Sequence, residues 1–274
     1  MKAARSLMFV PGHRQDMIGK ALAMAELDVA LLDLEDGVPP AETANARRLV
    51  ADATREKRAV RMFVRVHAVG PEIYPDLAAV GAAAEAVVLA KTQSADDVRA
   101  AEGVFARVGL VPSIETAAGL LAAPEIARAS SRVAGLMFGG EDFARDLGLP
   151  PARTGEAQEL LFARSATVVA AVAARVPAYD SVWTDIRDLD GLRAQARQAR
   201  NLGFTGKTLI HPSHVAIVNE AFTPTPDEIA HARRVVAAFE DALRERRGAV
   251  AVDGEMVDAP VAERARRLLD LGRG

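Results

Sequence analysis

The chain contains no cysteine. That excludes disulfides, thiolate metal sites and a cysteine nucleophile, and it fits a reducing, cytoplasmic setting. Charge of one sign is also missing in excess: 34 basic residues against 37 acidic ones leave a formal net charge of −3. With a pI near 6.0, neither a nucleic-acid surface nor a polybasic membrane contact is expected. No apolar run approaches the roughly 20 residues of a bilayer-spanning helix. Met1-Lys2-Ala3-Ala4-Arg5 leads straight into a strand pattern, without the apolar core and cleavage site of a secretory signal. The expectation is a soluble protein. A glycine-rich phosphate loop is absent too, since the stretch from Gly135 to Gly140 is apolar and lacks the lysine. No nucleophile elbow is present, so a serine hydrolase triad is not expected. No two histidines have zinc-ligand spacing.

What the sequence does contain is a repeated pairing of short apolar runs with charges. Leu31-Leu32-Asp33-Leu34-Glu35-Asp36, Phe63-Val64-Arg65, Val88-Leu89-Ala90-Lys91, Ile114-Glu115 and Phe138-Gly139-Gly140-Glu141-Asp142 all follow this pattern. A buried strand that stops at a charge delivers it to one end of a parallel sheet. In a (β/α)8 barrel, that end carries the active site.

Eight strand candidates recur: Ser6–Val10, Val29–Leu34, Arg61–Val66, Ala86–Leu89, Leu110–Ile114, Val133–Phe138, Ala178–Val182 and Thr208–Ile210. Helical spacing fills the gaps, as in Met17–Met24, Ala41–Thr54, Ala95–Ala106, Glu156–Ala174 and Leu189–Leu202. At 274 residues, half of them hydrophobic, this alternation favours a closed (β/α)8 TIM barrel over residues 1–222. Residues 223–274 form a C-terminal extension. There a stiff Thr223-Pro224-Thr225-Pro226 turn leads into a helix over 227–247, an Asp253-Gly254 hairpin follows, and a last helix covers Ala259–Leu271. The extension is expected to pack on the barrel or on a neighbouring subunit.

Each charged candidate has a functional and a structural reading. Glu115 is either a hard-cation ligand or an acid favoured by a helix N-terminus. Asp142 and Glu141 follow a Gly-Gly bend, where the backbone can turn tightly beside a ligand. Glu115 and Asp142 together, completed by water and substrate oxygens, suit Mg2+, with Mn2+ also fitting. Arg65 is either a carboxylate-gripping guanidinium or an exposed charge. Lys91 is a second anion contact or an ion-pair partner. Asp33, Glu35 and Asp36 form a dense acidic cluster, and Glu35 and Asp36 are expected to orient metal-bound waters or the basic groups during catalysis. His211 is a strand-end cap or a substrate contact. His13, His67, His214 and His231 carry no pairing signal.

These segments resemble the citrate lyase β-subunit-like (CitE-like) proteins of the HpcH/HpaI aldolase superfamily. The resemblance rests on Arg5-Ser6-Leu7-Met8-Phe9-Val10-Pro11-Gly12, Leu32-Asp33-Leu34-Glu35-Asp36-Gly37-Val38-Pro39, Arg65-Val66, Ile114-Glu115-Thr116, Phe138-Gly139-Gly140-Glu141-Asp142-Phe143 and Gly206-Lys207-Thr208-Leu209-Ile210-His211-Pro212. It spans almost the whole chain, in order. It implies a barrel binding Mg2+ through Glu115 and Asp142, with Arg65, Glu115, Lys91 and Arg5 toward the substrate. It implies cleavage or formation of carbon–carbon bonds in 3-hydroxyacyl thioesters of the citryl-CoA or malyl-CoA type, with thioester hydrolysis as a further outcome. The tail matched by Asp253-Gly254-Glu255-Met256-Val257-Asp258 reaches a neighbouring subunit's site in CoA-using relatives, commonly within a trimer, and Asp258 matches the acid/base carboxylate. His67 stands where many relatives place asparagine. Two other expectations are a metal-dependent 2-keto acid aldolase and a non-catalytic subunit binding CoA or an acyl carrier protein.

Overall fold

The computed structural model describes residues 3–150 and 157–271, in two compact units spanning residues 1–222 and 223–274. In the first unit eight parallel strands close on themselves in sequence order. They are β1 (Ser6–Pro11), β2 (Val29–Asp33), β3 (Arg61–Val66), β4 (Ala84–Leu89), β5 (Gly109–Ile114), β6 (Leu136–Phe138), β7 (Ala178–Asp180) and β8 (Gly206–Leu209). The connecting helices are α1 (Gln15–Leu22), α2 (Thr43–Ala53), α3 (Ile73–Leu77), α4 (Ala95–Val104), α5 (Ala117–Leu121), α6 (Ala123–Arg128), α7 (Gly140–Asp146), α8 (Leu161–Ala173), α9 (Leu189–Leu202) and α10 (His214–Phe222). This is the TIM barrel that the strand–helix alternation predicts.

The strands are short and apolar because both of their faces are buried. Successive side chains alternate, so Leu7, Val29, Leu31, Phe63, Val111 and Met137 pack together inside the barrel. Met8, Ala30, Leu32, Val64, Leu110 and Phe138 belong to the larger cluster under the helices. This alternation settles which charges enter the barrel. Asp33 is in phase with Leu31, Arg65 with Phe63, and Glu115 with Val111.

Local capping fixes where several helices begin. Ser94 and Asp97 form a reciprocal capping box for α4, and Asp188 accepts from the Gly191 amide at the start of α9. α9 ends at Gly203, whose φ of +103° a side-chain-bearing residue would resist. Most barrel boundaries fall within two residues of the sequence reading, and two starts differ by more. Val133 makes only an isolated bridge to Leu110, and β6 starts three residues later. The helix expected from Glu156 begins at Leu161, after a 3-10 turn over Gln158–Leu160; Glu156 itself, like Met1 and Lys2, lies outside the described residues. α3, α5, α6 and α7 are too short to show periodicity, and α3 and α6 carry prolines.

The second unit comprises α11 (Pro226–Arg244), an antiparallel hairpin of β9 (Val250–Val252) and β10 (Glu255–Val257), and α12 (Ala259–Leu271). Thr225 and Glu228 box the start of α11, with Pro226 in its first turn. Asp253 and Gly254 both have positive φ, 50° and 84°, as a two-residue hairpin of this twist requires. Val235, Phe239, Val257 and Ala262 form this unit's own small core. Among the described residues no helix is long and apolar enough to cross a membrane.

Candidate active site

The parallel barrel brings the strand-end charges to its C-terminal mouth. Asp33 and Arg65 are register partners on β2 and β3, both directed inward. Arg65 donates Nε and Nη2 to the two Asp33 oxygens, each at 2.7 Å. Asp33 also accepts the amides of Glu35 at 3.0 Å and Gly37 at 2.9 Å. A Cβ on Gly37 would stand 2.3 Å from Asp33 Oδ2, so the loop closes this tightly only with glycine there. Asp33 therefore holds both the arginine and the acidic loop.

Arg65 is buried and lies over the Phe9 ring, 4.7 Å from its centroid. Its third nitrogen is 3.1 Å from Glu35. Burial alone would lower its pKa, but Asp33, Glu35 and Glu115 together raise it above the ordinary guanidinium value. Lys91 follows β4 with φ +49°. Its ammonium bridges Glu35 and Asp36, 3.1 Å from the latter, and its amide donates to Glu115 Oε2 at 3.2 Å. Burial raises Glu35 and outweighs the pull of Arg65 and Lys91. At the less buried Asp36, hydrogen bonds from Glu35 and Lys91 prevail over burial and lower its value.

Glu115 directly follows β5 and is only 2% exposed. Burial pushes its carboxyl up to about 7 against the help of Ser113 and Arg65, and the charges of Asp142 and Glu35 add to the rise. Gly139, at the end of the adjacent β6, lies against it: a Cβ there would come within 2.4 Å of Glu115 Cγ. Asp142 sits in the first turn of α7 with its side chain mostly buried, paired at 2.5 Å with Arg145. Among the described residues no three His, Cys, Asp or Glu side chains converge into a metal cage. The donor set is two carboxylates, with the charge of Asp142 helping to raise the proton affinity of Glu115, and it fits a hard divalent cation whose other ligands come from water or substrate. Against the five carboxylates Asp33, Glu35, Asp36, Glu115 and Asp142 stand the cations Arg65, Lys91 and Arg145, which leaves acidic charge for a metal to balance.

Three residues of the sequence reading lie elsewhere or look different. Arg5 is not at this mouth. It precedes β1 and clasps Asp28, which precedes β2, with Nε and Nη2 at 3.0 and 2.8 Å. Both therefore occupy the N-terminal end of the barrel, a strand length from Glu115, and the expected substrate contact is corrected to an ion pair. Asp258 belongs to the second unit, where its carboxylate accepts from the Val261 amide at the start of α12. His211 is partly exposed, and its Nδ1 lies 2.7 Å from the Ser213 hydroxyl.

Two arrangements had no signal in the sequence. His67 Nδ1 lies 2.8 Å from the fully buried Asp76, which Arg47 also binds at 2.8 Å. Asp180, between β7 and the helices, holds both Arg164 and Lys207 in a buried cluster. That makes Lys207 of the Gly-Lys-x-x-Ile-His-Pro segment an outward-facing structural cation. Nothing in local spacing marks partners 9 to 34 residues apart in such networks.

The fold and its rim define an enzyme of the (β/α)8-barrel class with an acidic, oxygen-rich mouth. The chain belongs to the HpcH/HpaI aldolase/citrate lyase family, which its residues 5–212 match, and it is a lyase. Citrate lyase subunit beta of Escherichia coli is 38% identical over 283 aligned residues, covering 98% of this chain and 93% of that protein. A (3S)-malyl-CoA thioesterase of Cereibacter sphaeroides is 37% identical, covering 93% and 89%. The crystal structure of CitE from Mycobacterium tuberculosis with magnesium, acetoacetate and coenzyme A superposes with a TM-score of 0.86 at 35% identity, covering 99% of both chains. A citrate lyase beta subunit from the same organism, complexed with oxaloacetate and magnesium, has a TM-score of 0.72 at 34% identity, covering 81% of this chain and 98% of that one.

Proposed function

We propose that this chain cleaves, or in reverse forms, the carbon–carbon bond of a 3-hydroxyacyl thioester of the citryl or malyl type. The thioester is carried by CoA or an acyl carrier protein. The observation that carries this reading is Glu115, a buried carboxylate beside Asp142 with a clamped arginine close by. The CoA and oxaloacetate complexes of its relatives support the thioester and the keto acid as its two halves.

Glu115 and Asp142 would hold Mg2+, which supplies Lewis acidity and a template for the substrate's oxygens. Holding it requires Glu115 to lose its proton, and the nearby Arg65 and the Lys91 amide favour that ionised form. Arg65 contributes fixed positive charge where a carboxylate sits or an oxyanion develops. It does so without reorganising, because Asp33 holds its fork in place. Glu35, Asp36 and Lys91 keep that edge of the mouth ordered and fix the hydrogen-bonding waters around it.

In the cleavage direction the 3-hydroxyl proton leaves to a base, and the C2–C3 electron pair passes into the thioester as an enolate. A proton then returns to C2. Asp258 is assigned that proton transfer, delivered by the extension of a neighbouring copy in a homotrimer. A cysteine-free chain suits such work in the cytoplasm.

The test is turnover of citryl-CoA and malyl-CoA by the isolated chain with Mg2+, following keto acid, acetyl-CoA and free CoA separately. Glu115→Ala is expected to abolish metal-dependent turnover with its circular dichroism unchanged. Full activity in that variant overturns the assignment. Free CoA without keto acid assigns the chain to thioester hydrolysis instead of cleavage.

A further inference from the structure

Arg65 and Lys91 are the obvious cations of the mouth, but both are already engaged: Arg65 by Asp33 and Glu35, Lys91 by Glu35 and Asp36. His67 differs. It follows β3 in the same phase as Arg65, so it rises from the mouth two residues further along. Its amide and its Nδ1 both bind one oxygen of Asp76, at 2.9 and 2.8 Å. The other Asp76 oxygen accepts from Arg47 at 2.8 Å, and Arg47 is fixed again by Glu72 at 2.7 Å. Asp76 is fully buried with these donors around it.

A carboxylate so placed accepts, so Nδ1 carries the hydrogen and the ring is pinned in one orientation. Nε2 then points away from Asp76. It makes no hydrogen bond among the described residues, and the side chain is 26% exposed. The groups acting on the ring are Asp76, which raises its pKa above the usual histidine value against partial burial, then Arg47, which lowers it, and Glu35, which raises it. With Nδ1 held by Asp76, the ring turns its partly exposed Nε2 away from that carboxylate, just beyond the end of β3 and within the field of Glu35.

The geometry points to His67 as the residue that reads the second carboxylate of the acid half of the substrate, Nε2–H donating to a carboxylate oxygen while Asp76 holds the ring. This rests on the function proposed above and narrows it: the keto acid released is a dicarboxylate rather than a monocarboxylate. Glyoxylate or pyruvate would leave Nε2–H unsatisfied, whereas oxaloacetate offers it a partner.

The test compares binding of oxaloacetate and pyruvate, which differ by that carboxylate, to the intact chain with Mg2+ by calorimetry. His67→Ala and His67→Asn are measured beside the parent; the second keeps a donor for Asp76 and guards against misfolding. Losing one charge-assisted hydrogen bond should weaken oxaloacetate about tenfold or more in both variants, with pyruvate changed less than about twofold. A structural collapse would weaken both acids together and leave their ratio unchanged. An unchanged ratio overturns the inference alone, and so does an unchanged ratio accompanied by lost CoA affinity, which would place His67 against the nucleotide. If the parent binds neither acid in a manner that needs Mg2+ and Glu115, the function and the inference fall together.

Discussion

Asp33 and Arg65 stand side by side on adjacent strands and are joined by two 2.7 Å hydrogen bonds inside the barrel. Neither is exposed by more than a tenth. The pair converts a flexible guanidinium into a fixed part of the mouth. Removing one partner of such a pair leaves a buried charge uncompensated, at a cost of about 3–5 kcal/mol. Asp33→Asn should therefore lose about that much stability in urea denaturation. It should also lower kcat/KM by more than about a hundredfold, because Arg65 is no longer aimed. Retention of both would show that the arginine does not depend on Asp33.

Glu115 predicts a pH dependence that the metal reverses. Its carboxyl titrates at about 7 in the folded metal-free chain, against an ordinary 4.5. The folded state thus holds a proton that the unfolded state releases. The resulting stabilisation is complete below the ordinary value and disappears as pH rises through about 7, a loss of about 3 kcal/mol. Mg2+ competes with that proton, so its stabilising effect grows over the same interval. Scanning calorimetry with EDTA and with Mg2+ should show a larger metal-induced rise in Tm at pH 8 than at pH 6. Glu115→Gln should remove the difference.

Gly139 tests whether Glu115 needs its close neighbour. A methyl group there meets Glu115 Cγ at 2.4 Å, inside any real contact distance. Gly139→Ala should push the carboxylate aside and weaken Mg2+ binding by about tenfold, through misplacement of a ligand rather than its loss. Calorimetric Mg2+ titration at pH 8 reads this directly. An unaltered affinity would mean that the carboxylate has room to move.

Arg5 gives the opposite expectation. Its bidentate pair with Asp28 ties together the starts of β1 and β2, at the end of the barrel away from Glu115. Arg5→Ala should lower Tm by a few degrees, as loss of a partly exposed ion pair does, and leave KM within about twofold. A large KM change would return Arg5 to the substrate site.

The barrel was legible because its strands are buried on both faces and end in charges. β3 and α9 have the boundaries their patterns predict, and the Asp253-Gly254 turn is where the dipeptide places it. The short helices α3, α5, α6 and α7 were not legible, being a turn or two long and governed by packing rather than periodicity.

Within the mouth, residue types and strand ends identify Arg65, Lys91, Glu115 and Asp142 as candidates. They do not indicate which of two opposed faces each side chain takes, because register depends on neighbouring strands. For Arg65 that choice was made by Asp33 across the sheet. For Arg5 the assignment failed because a residue just before a strand belongs to the other end of the barrel. His67 carried no sign of its partner, since Asp76 joins it only once the chain folds back over the end of β3.

The sequence by itself determined the alternation of strands and helices, the charges at the strand ends and the turn of the final hairpin, all of which follow from local pattern and backbone chemistry. Only the tertiary structure decided which charges neutralise one another, which carboxyl is raised by burial and which carboxylate holds the His67 ring. Those properties depend on distance and on exclusion of water, which exist only after the barrel has closed.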